Sequence, residues 1–314
     1  MPKFYSRKNR TPKSEEPDSA QRQFSHSQNF LRNAELVQKL IKKSSLSRED
    51  VVIEIGAGRG IITDALAAIC KKVIAIEADT LLAATLRKRF KATPNVEVIS
   101  SDVLHYNLPK AQYKIFSNIP FNITADIIKK INDASNPPMD TYLIVQEEAA
   151  KKYAGQPYAK ESLFSVLHKP LFRFELVHRF HKTDFSPIPH VNSVLLRIQR
   201  LNETLIDLKK IALFRDFVAV GFTRNPHLKK AYKNIFGHTQ FLKLANNLRF
   251  SPNANPTDLS FEQWLAMFNY FLVGVDTFRQ SRVIGSLKRI TIHQQKLTKR
   301  HRTRNARDWR RASY

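Results

Sequence analysis

The fold of this 314-residue chain follows from one stretch, VVIEIGAGRGIIT at residues 51–63. Its first residues form an apolar strand, three glycines at alternate positions come next, and an apolar helix begins after them. These glycines, Gly56, Gly58 and Gly60, let the backbone approach a ligand closely, and the start of the helix supplies free N–H groups. The stretch therefore predicts a strand, a ligand-binding turn and a helix of an α/β fold.

Two acidic residues indicate which ligand this turn binds, since dinucleotide enzymes use nearly the same glycine pattern. Glu54 precedes the first glycine by two residues, where a carboxylate attracts a cationic ligand and repels a pyrophosphate. Glu77 ends the next apolar segment, nineteen residues after Gly58, at the position from which a carboxylate binds ribose hydroxyls. The pair favours S-adenosylmethionine, and solvated strand ends are the alternative interpretation.

Strand and helix segments alternate through the first half of the chain. Four further apolar segments have strand length: residues 73–76, 96–99, 113–116 and 142–146. This alternation predicts a parallel, doubly wound sheet with ligands at the carboxyl ends of its strands. Asp102 and Val103 lie at one such end, where the carboxylate is placed to accept the amino group of the cofactor adenine and Val103 to offer its backbone N–H. Two alternating segments predict an antiparallel pair closing the sheet: residues 176–180 and 194–198.

The run Asn118-Ile119-Pro120-Phe121 follows the fourth apolar segment. The side-chain oxygen of Asn118 and a backbone carbonyl held by Pro120 are suited to accept the two N–H groups of an exocyclic amine, because proline fixes its own φ and has no competing N–H. Phe121 is then suited to stack on the base, as in enzymes that flip a nucleotide. The alternative is a plain strand-to-helix turn with Phe121 in the core.

A stiff loop, FSPIPHVNS at residues 185–193, separates the two antiparallel segments. We expect its first residue, Phe185, to stack on the second face of the target base. Three histidines in this region, His178, His181 and His190, lack the spacing of metal ligands, so no metal site is predicted.

The C-terminal part of the chain has a wholly helical pattern from Leu205 onward. Ser260 and Gln263 have the form of a capping box that begins one of its helices. We expect a helical RNA-binding domain over residues 201–279, after a catalytic domain over residues 28–200. Four basic residues are predicted to form the side of the helical domain that faces RNA phosphates: Arg224, Lys229, Lys230 and Lys233.

Charge points to a polyanionic partner. The chain has 52 Lys and Arg residues against 27 Asp and Glu residues, a net charge of +25, which favours nucleic acid over an anionic membrane surface. Residues 280–314 carry +10 of this charge and are predicted to be a disordered basic tail. Residues 1–27 are polar and predict a flexible basic arm.

The remaining composition restricts the class of protein. Cys70 is the only cysteine, which excludes internal disulfides and cysteine-based zinc sites. No run of 18 apolar residues and no hydrophobic leader segment are present, so neither a membrane span nor a secretory signal is predicted. The expected compartment is the cytoplasm.

Five motifs occur in a fixed order: QNFL at residues 28–31, EIGAGRG at 54–60 followed by Glu77, Asp102, NIPF at 118–121 and FSPIP at 185–189. They resemble, in order and spacing, the Erm family of ribosomal RNA adenine-N6 methyltransferases, within the rRNA adenine dimethyltransferase superfamily. The similarity extends over about residues 24–275. Two segments of the helical region, YKNIF at 232–236 and LSFEQW at 259–264, look more like Erm than like the housekeeping small-subunit enzymes.

The resemblance implies a Rossmann-like class I S-adenosylmethionine-dependent methyltransferase with a small C-terminal all-helical domain. It implies methylation of N6 of one adenine in the peptidyl-transferase region of 23S rRNA, and so resistance to macrolides, lincosamides and streptogramin B. The expected enzyme is a monomer that acts on 23S rRNA, protein-free or during ribosome assembly. No general base is implied, because the methylated ammonium loses its proton to water.

The resemblance also assigns roles to individual residues. The cofactor is held by residues of the first four motifs: Gln28, Asn29, Leu31, Gly56, Gly58, Glu77, Asp102, Val103 and Asn118. The adenine is held by residues of the last two: Asn118, Ile119, Pro120, Phe121 and Phe185. Phe121 stands where many relatives have tyrosine, and His190 replaces a common lysine.

Three other interpretations stay open. A small-subunit rRNA dimethyltransferase performs the same chemistry on another ribosomal helix. A DNA adenine methyltransferase is disfavoured, because such enzymes prefer Asp at the position of Asn118 and Pro at the next residue. A catalytically silent nucleic-acid-binding protein of the same fold is disfavoured by the intact glycine turn.

Overall fold

The computed structural model describes residues 29–223 and 227–296. Within them lie nine strands: β1 (Phe30–Leu31), β2 (Val51–Ile55), β3 (Lys72–Glu77), β4 (Val96–Ser100), β5 (Lys114–Asn118), β6 (Asp140–Gln146), β7 (Phe172–Arg179), β8 (Phe185–Ser186) and β9 (Ser193–Arg200).

The same residues contain twelve α-helices. They are α1 (Ala34–Lys43), α2 (Ile61–Ala67), α3 (Thr80–Arg89), α4 (Thr124–Asn132), α5 (Glu147–Ala154), α6 (Leu163–His168), α7 (Ile211–Gly221), α8 (Leu228–Ala231), α9 (His238–Asn247), α10 (Phe261–Gly274), α11 (Thr277–Ser281) and α12 (Ser286–Lys296). Four short 3-10 helices accompany them: Phe121–Ile123, Lys182–Asp184, Leu208–Lys210 and Pro256–Asp258.

Seven of the strands form one sheet in the order β4-β3-β2-β5-β6-β9-β7. The pairs β2/β3, β2/β5 and β3/β4 are parallel, and β7/β9 is antiparallel. Ile53 at the centre of β2 lies between Ile74 of β3 and Ile115 of β5, and all three are buried, as an interior parallel strand requires. The predicted α/β class and the antiparallel closing pair are confirmed.

Strand β2 is where the chain reverses the direction in which it adds strands. From β2 the chain adds β3 and β4 on one side, and β5 on the other. Neighbouring loops at such a reversal leave the sheet in opposite directions, which opens a crevice at the carboxyl strand ends. The turn after β2 and the residues after β5 therefore face the same crevice.

The chain divides into two compact units. The first unit includes the described residues up to 136, residues 143–145 and residues 180–193. It holds the glycine turn, the ends of β2 to β5, and a separate two-stranded sheet in which β1 pairs antiparallel with β8. Helix α1 begins at Asn33, whose side chain accepts the backbone N–H of Leu36 at 3.0 Å.

The second unit contains the C-terminal helices and is built around an aromatic core. The ring of Phe217 lies 4.7 Å from that of Phe271 and 5.0 Å from that of Tyr232, centroid to centroid. The Tyr232 hydroxyl donates to the Phe217 carbonyl at 2.7 Å. Gly221 permits this packing, because a Cβ there would lie 2.5 Å from Cη2 of Trp264. The predicted capping box of Ser260 and Gln263 begins α10.

The predicted boundary at residues 200/201 does not separate the compact units. Residues 146–179 and the segment from Val194 onward group with the C-terminal helices. Strand β7, although it belongs to the sheet, packs against helix α5 of the same unit and pairs with β9. The predicted arm at residues 1–27 lies outside the described residues.

The prediction of a disordered tail from residue 280 is wrong for its first part. Helix α12 spans Ser286–Lys296, and Val283 before it is fully buried. Asp216 of α7 begins this helix by accepting the backbone N–H groups of Gly285 at 2.8 Å and Leu287 at 3.0 Å. The prediction rests on the basic composition of the segment, and composition does not indicate these tertiary contacts. Residues 297–314 lie outside the described part.

Candidate active site

The carboxyl ends of β2 and β5 are tied together by a buried hydroxyl. Ser117 Oγ accepts the backbone N–H of Ile55 at 2.7 Å, one residue before the glycine turn and one residue before Asn118. Sequence reasoning missed Ser117, because a serine inside an apolar strand shows no partner in the sequence. This bond brings the turn and the Asn118 segment together.

A small cavity lies at this junction. Six predicted site residues meet there with one that was not predicted, and the lining is Asn29, Phe30, Gly56, Asn118, Ile119, Pro120 and Phe121. Its volume is about 30 Å³, room for about one water molecule.

The glycine turn is fixed by the acid at the end of β3. The backbone N–H of Gly58 donates to Glu77 Oε2 at 2.8 Å, and that of Asp79 donates to Glu77 Oε1 at 2.9 Å. Gly58 has φ +55°, a conformation that favours glycine. The buried Glu77 carboxylate thus joins the turn after β2 to the start of α3, and its remaining lone pairs are acceptors.

The side-chain amide of Asn118 has a defined orientation. Its Nδ2 donates to the backbone carbonyl of Asn29 at 2.7 Å, so Oδ1 is the atom of the amide that acts as an acceptor. The Pro120 carbonyl accepts the N–H of Ile123 at 3.3 Å and the hydroxyl of Thr124 at 3.4 Å. Because these bonds close the turn into α4, the Ile119 carbonyl is the better candidate for a second acceptor. The Phe121 ring is half-buried at the cavity.

Phe30 covers the glycine turn. A Cβ on Gly58 would lie 2.8 Å from Phe30 Cε1, and the Arg59 guanidinium lies 5.0 Å from the centre of the Phe30 ring. Phe30 belongs to the QNFL motif, but no role is predicted for it from the sequence. Its position directly after Asn29 is the one feature of the sequence that indicates a place at the site. Its ring lines the cavity together with the Asn118 segment.

Asp102 and Val103 lie after β4 and do not line this cavity. Asp102 Oδ1 accepts the backbone N–H of Leu104 at 2.8 Å, and its Oδ2 lies 3.4 Å from Nδ1 of His105. The Asp102 carboxylate is about half exposed, whereas the Val103 side chain is buried. Because β4 is parallel to β3, both residues are at the same edge of the sheet as Glu77.

The structure does not bring the Phe185 ring, which is predicted to stack on the target base, to this cavity. The ring has no exposed surface and packs edge-on against Phe180, with centroids 5.4 Å apart. The cause is the two-stranded sheet, in which Phe185 pairs with Leu31. Leu31, predicted to hold the cofactor, is buried in the same place, so only its backbone is suited to that role. Gln28 lies outside the described residues.

Burial favours the neutral form of Glu54, contrary to the prediction that it attracts a cation. Its carboxyl is fully buried, and Thr63 donates its hydroxyl to Glu54 Oε2 at 2.5 Å. Burial raises the pKa of Glu54 from its ordinary 4.5 to about 8, with a smaller contribution from the negative charges of Glu77 and Asp64. Of the other acids at these strand ends, Glu77 is buried and Asp102 is about half exposed.

This raised pKa makes the stability of the protein depend on pH. Between pH 4.5 and about 8 the unfolded chain ionises Glu54 while the folded chain keeps it protonated, so the free energy of unfolding falls as pH rises, by roughly 1.4 kcal/mol per unit. Glu54→Gln cannot ionise. We expect urea unfolding at pH 8 to show Glu54→Gln more stable than the wild type by a few kcal/mol relative to their difference at pH 5.

Glu148→Gln is the matched control, because the Glu148 side chain is 90% exposed. The control should follow the wild-type dependence on pH. A difference between Glu54→Gln and wild type that is the same at both pH values would contradict the neutral state of Glu54.

The predicted basic side of the helical region is found near α8. Lys229, Lys230 and Lys233 line one cavity of about 330 Å³ with aromatic residues that include Phe236. Arg224 lies outside the described residues. Among the residues that the structure describes, no three His, Cys, Asp or Glu side chains form a metal-binding group. None of the described helices is long and apolar enough to span a bilayer.

The site fits S-adenosylmethionine. Gly56 lines the cavity and has φ +70°, a conformation that favours glycine and brings the backbone close to a ligand. Glu77 provides acceptors for ribose hydroxyls at the end of β3. The glycine turn, the Glu77 carboxylate and the Asn118 amide lie together at the strand ends where the chain changes the side on which it adds strands. This arrangement in a mostly parallel sheet defines a class I S-adenosylmethionine-dependent methyltransferase.

The comparisons with known proteins narrow this class to one family. Residues 19–272 match the family described as ribosomal RNA adenine dimethylase. An rRNA adenine N-6-methyltransferase from Bacteroides fragilis is 32% identical over 245 residues, which is 77% of this chain and 90% of that protein. The chain therefore belongs to the ribosomal RNA adenine dimethylase family, and it is an S-adenosylmethionine-dependent rRNA adenine-N6 methyltransferase.

Further similarities agree with this assignment. An rRNA methyltransferase from Streptomyces thermotolerans is 36% identical over 198 residues, or 63% of this chain and 66% of that protein. The crystal structure of the 23S rRNA methyltransferase ErmE superimposes with a TM-score of 0.72 at 26% identity, covering 77% of this chain and 99% of ErmE. A dimethyladenosine transferase from Plasmodium falciparum shares the fold, with a TM-score of 0.62 at 20% identity. The resemblance to the Erm methyltransferases is confirmed.

Proposed function

We propose that this enzyme methylates N6 of one adenine in the peptidyl-transferase region of 23S rRNA, and thereby confers resistance to macrolides, lincosamides and streptogramin B. The observation that carries the proposal is the oriented amide of Asn118, whose Nδ2 donates to Asn29 and leaves Oδ1 as an acceptor. Support for 23S rRNA comes from the similarity to ErmE over 99% of its length.

The chemistry requires that a weak nucleophile be positioned. The lone pair of an exocyclic adenine amine is delocalised into the ring. Two acceptors that bind both N–H groups favour a pyramidal amine, in which the lone pair is localised on nitrogen and points at the electrophile. Asn118 Oδ1 and the Ile119 carbonyl are the proposed acceptors, Pro120 fixes the turn between them, and Phe121 stacks on the base. S-adenosylmethionine, when bound, supplies an electrophilic methyl group.

The protein contributes alignment rather than proton transfer. Holding the amine within reach of the methyl group replaces an encounter in solution, and the product ammonium is acidic enough to lose its proton to water. We propose that Glu77 holds the ribose hydroxyls of the cofactor and Asp102 the adenine amino group, with Val103 offering its backbone N–H. The glycine turn and residues 28–31 complete the cofactor site.

The proposal also covers the oligomeric state of the enzyme, its compartment and the form of its rRNA substrate. A monomer is proposed, acting in the cytoplasm on 23S rRNA that is protein-free or in assembling subunits. The second candidate is methylation of small-subunit rRNA, because the family that matches is described only by ribosomal RNA adenine dimethylation.

The test is a methyl-transfer assay with labelled S-adenosylmethionine. Protein-free 23S rRNA and 30S subunits are offered in parallel, and the modified base is mapped by reverse-transcription stops. We expect a stop at one peptidyl-transferase adenine in 23S rRNA, and macrolide resistance in a sensitive host that expresses the protein. Label found only in 30S subunits would establish the second candidate, and label in neither would contradict both.

A further inference from the structure

A groove of about 910 Å³ lies within the second unit, among the C-terminal helices. One wall comes from the end of α7, a second from α8 and the residues after it, and the third from the segment leading into α12 and that helix itself. This volume lies in the range of sites that enclose small organic ligands, about 300–1,000 Å³. The third wall begins at Arg282, beyond the family match that ends at residue 272.

The groove combines an apolar floor with a cationic wall. Ile235 is buried beneath it, and Phe222 is half-buried, its ring stacked on Trp264 at 5.8 Å. The charged residues that line it are Arg282 and Arg289, and no lining residue is acidic. Such a surface suits a ligand with a flat ring and an anionic group.

Both arginines are held in place by protein acceptors. Arg282 donates from Nη1 to the Asn234 carbonyl at 2.9 Å. Arg289 donates from Nη2 to Ser286 Oγ at 2.7 Å and from Nη1 to the Ile284 carbonyl at 3.1 Å. A guanidinium has five N–H donors, so each retains donors for an anion while losing little side-chain entropy on binding it.

The cationic wall is also fixed in position. Asp216 accepts the backbone N–H groups of Gly285 and Leu287, which anchors the start of α12 to α7. Both Asp216 oxygens are used in these bonds, so the acid is engaged with the backbone rather than with the groove arginines. The helix that carries the cationic wall is therefore anchored at its first turn.

We propose that this groove binds an unpaired stretch of the rRNA substrate, with a base against Phe222 and Ile235 and phosphates at Arg282 and Arg289. Aromatic floors with basic walls bind single-stranded nucleic acid in this manner. A duplex, in contrast, keeps its bases stacked and presents only its backbone to such a floor. The proposal rests on rRNA as the substrate of the family, and not on which adenine is methylated.

The first test is photo-crosslinking of the full chain. An oligouridylate of about ten nucleotides that contains 4-thiouridine is irradiated with the protein, and the cross-linked peptides are identified by mass spectrometry. We expect cross-links in the peptides that carry Phe222 and Arg289. Cross-links confined to residues 297–314 would overturn the proposal.

The second test compares two pairs of substitutions with equal change in charge. We expect Arg282→Gln with Arg289→Gln to weaken oligouridylate binding about tenfold and to lower the slope of log affinity against log salt by about 1.4, or about 0.7 per phosphate. The control pair is Arg279→Gln with Lys288→Gln, on α11 and α12 outside the groove lining. It should change affinity by less than about twofold, and an equal loss in both pairs would overturn the proposal.

Two readouts keep these outcomes separate from folding and from the proposed function. Thermal melting and S-adenosylmethionine affinity should be unchanged in both pairs, and the wild-type cross-linking map does not depend on any variant. Groove cross-links without methylation of 23S rRNA would leave the groove in place and contradict the proposed function. Methylation of 23S rRNA without groove cross-links would support the proposed function and contradict the groove proposal.

Discussion

Asn118→Ala is expected to slow methyl transfer to rRNA by about 10²–10³-fold at saturating cofactor, the usual cost of removing one group that stabilises the reacting geometry. Asn118 Oδ1 is the proposed acceptor for one N–H of the target amine. Without it the amine keeps its lone pair delocalised into the π system of the ring, and it stays a poor nucleophile.

Cofactor affinity should respond much less to the same change. The variant also loses the bond from Asn118 Nδ2 to the Asn29 carbonyl, and one neutral hydrogen bond contributes about 0.5–1.5 kcal/mol. We therefore expect S-adenosylmethionine affinity to fall by no more than about tenfold. Single-turnover rates and isothermal titration calorimetry measure the two effects separately.

Asn122→Ala is the matched control for Asn118. Asn122 is an exposed asparagine in the 3-10 helix Phe121–Ile123, four residues further along the chain. Its removal should leave both rate and affinity near the wild-type values. An equal loss of rate and affinity in Asn118→Ala would contradict the assignment of Asn118 to the acceptor amine.

The sheet and the junction of β2 with β5 could be predicted from the sequence because their signals are local. Val51–Ile55 is a short apolar run that ends in glycine, and Lys114–Asn118 ends in an amide and a proline turn. Runs of this length followed by turn residues identify buried strands without knowledge of their neighbours. Parallel pairing then places both ends at one edge, where the cavity is found.

The burial of Phe185 and of Glu54 could not be predicted from the sequence. A phenylalanine at the start of a proline-rich loop looks the same whether it faces a ligand or packs inside, and the pairing of β1 with β8 involves only two residues from each strand. Glu54 at a strand end resembles Glu77, yet one binds a hydroxyl in the interior and the other binds two backbone N–H groups. Both side chains are buried, so what distinguishes them is the hydrogen-bond partner that the fold supplies, and the sequence does not record it.

Helix α12 shows the same limit for secondary structure. Its eleven residues are too few to form a stable helix in isolation. The contacts that begin it come from Asp216, about 70 positions earlier in the chain. The composition of this region indicates its positive charge correctly. It does not indicate the helix, because the helix depends on Asp216, which is distant in the sequence.

Glu77→Gln should produce the opposite kinetic pattern to Asn118→Ala. Glutamine has nearly the same shape as glutamate, but one of its two terminal groups is an NH₂ donor. In the wild type, Glu77 accepts the N–H groups of both Gly58 and Asp79. In the variant, one of these N–H groups would face the NH₂ group of the glutamine. A buried donor left without a partner costs about 1–3 kcal/mol, and the glycine turn loses part of its fixation.

The proposed bond from Glu77 to the ribose hydroxyls weakens at the same time, because a charged acceptor makes stronger hydrogen bonds than a neutral one. We expect S-adenosylmethionine affinity to fall about 10–100-fold, while the single-turnover rate at saturating cofactor changes by only a few-fold. Glu97→Gln is the control, since Glu97 lies on the adjacent strand β4, half exposed, and pairs with Lys72 at 2.7 Å.

Calorimetry and rates measured over a range of cofactor concentrations decide the outcome. A lower rate at saturating cofactor with unchanged affinity would contradict the assignment of Glu77 to the cofactor. If Asn118→Ala reduces the rate and Glu77→Gln reduces the affinity, the two strand ends have separate duties although they meet at one glycine turn. The amide at the end of β5 then positions the substrate, and the carboxylate at the end of β3 holds the methyl donor.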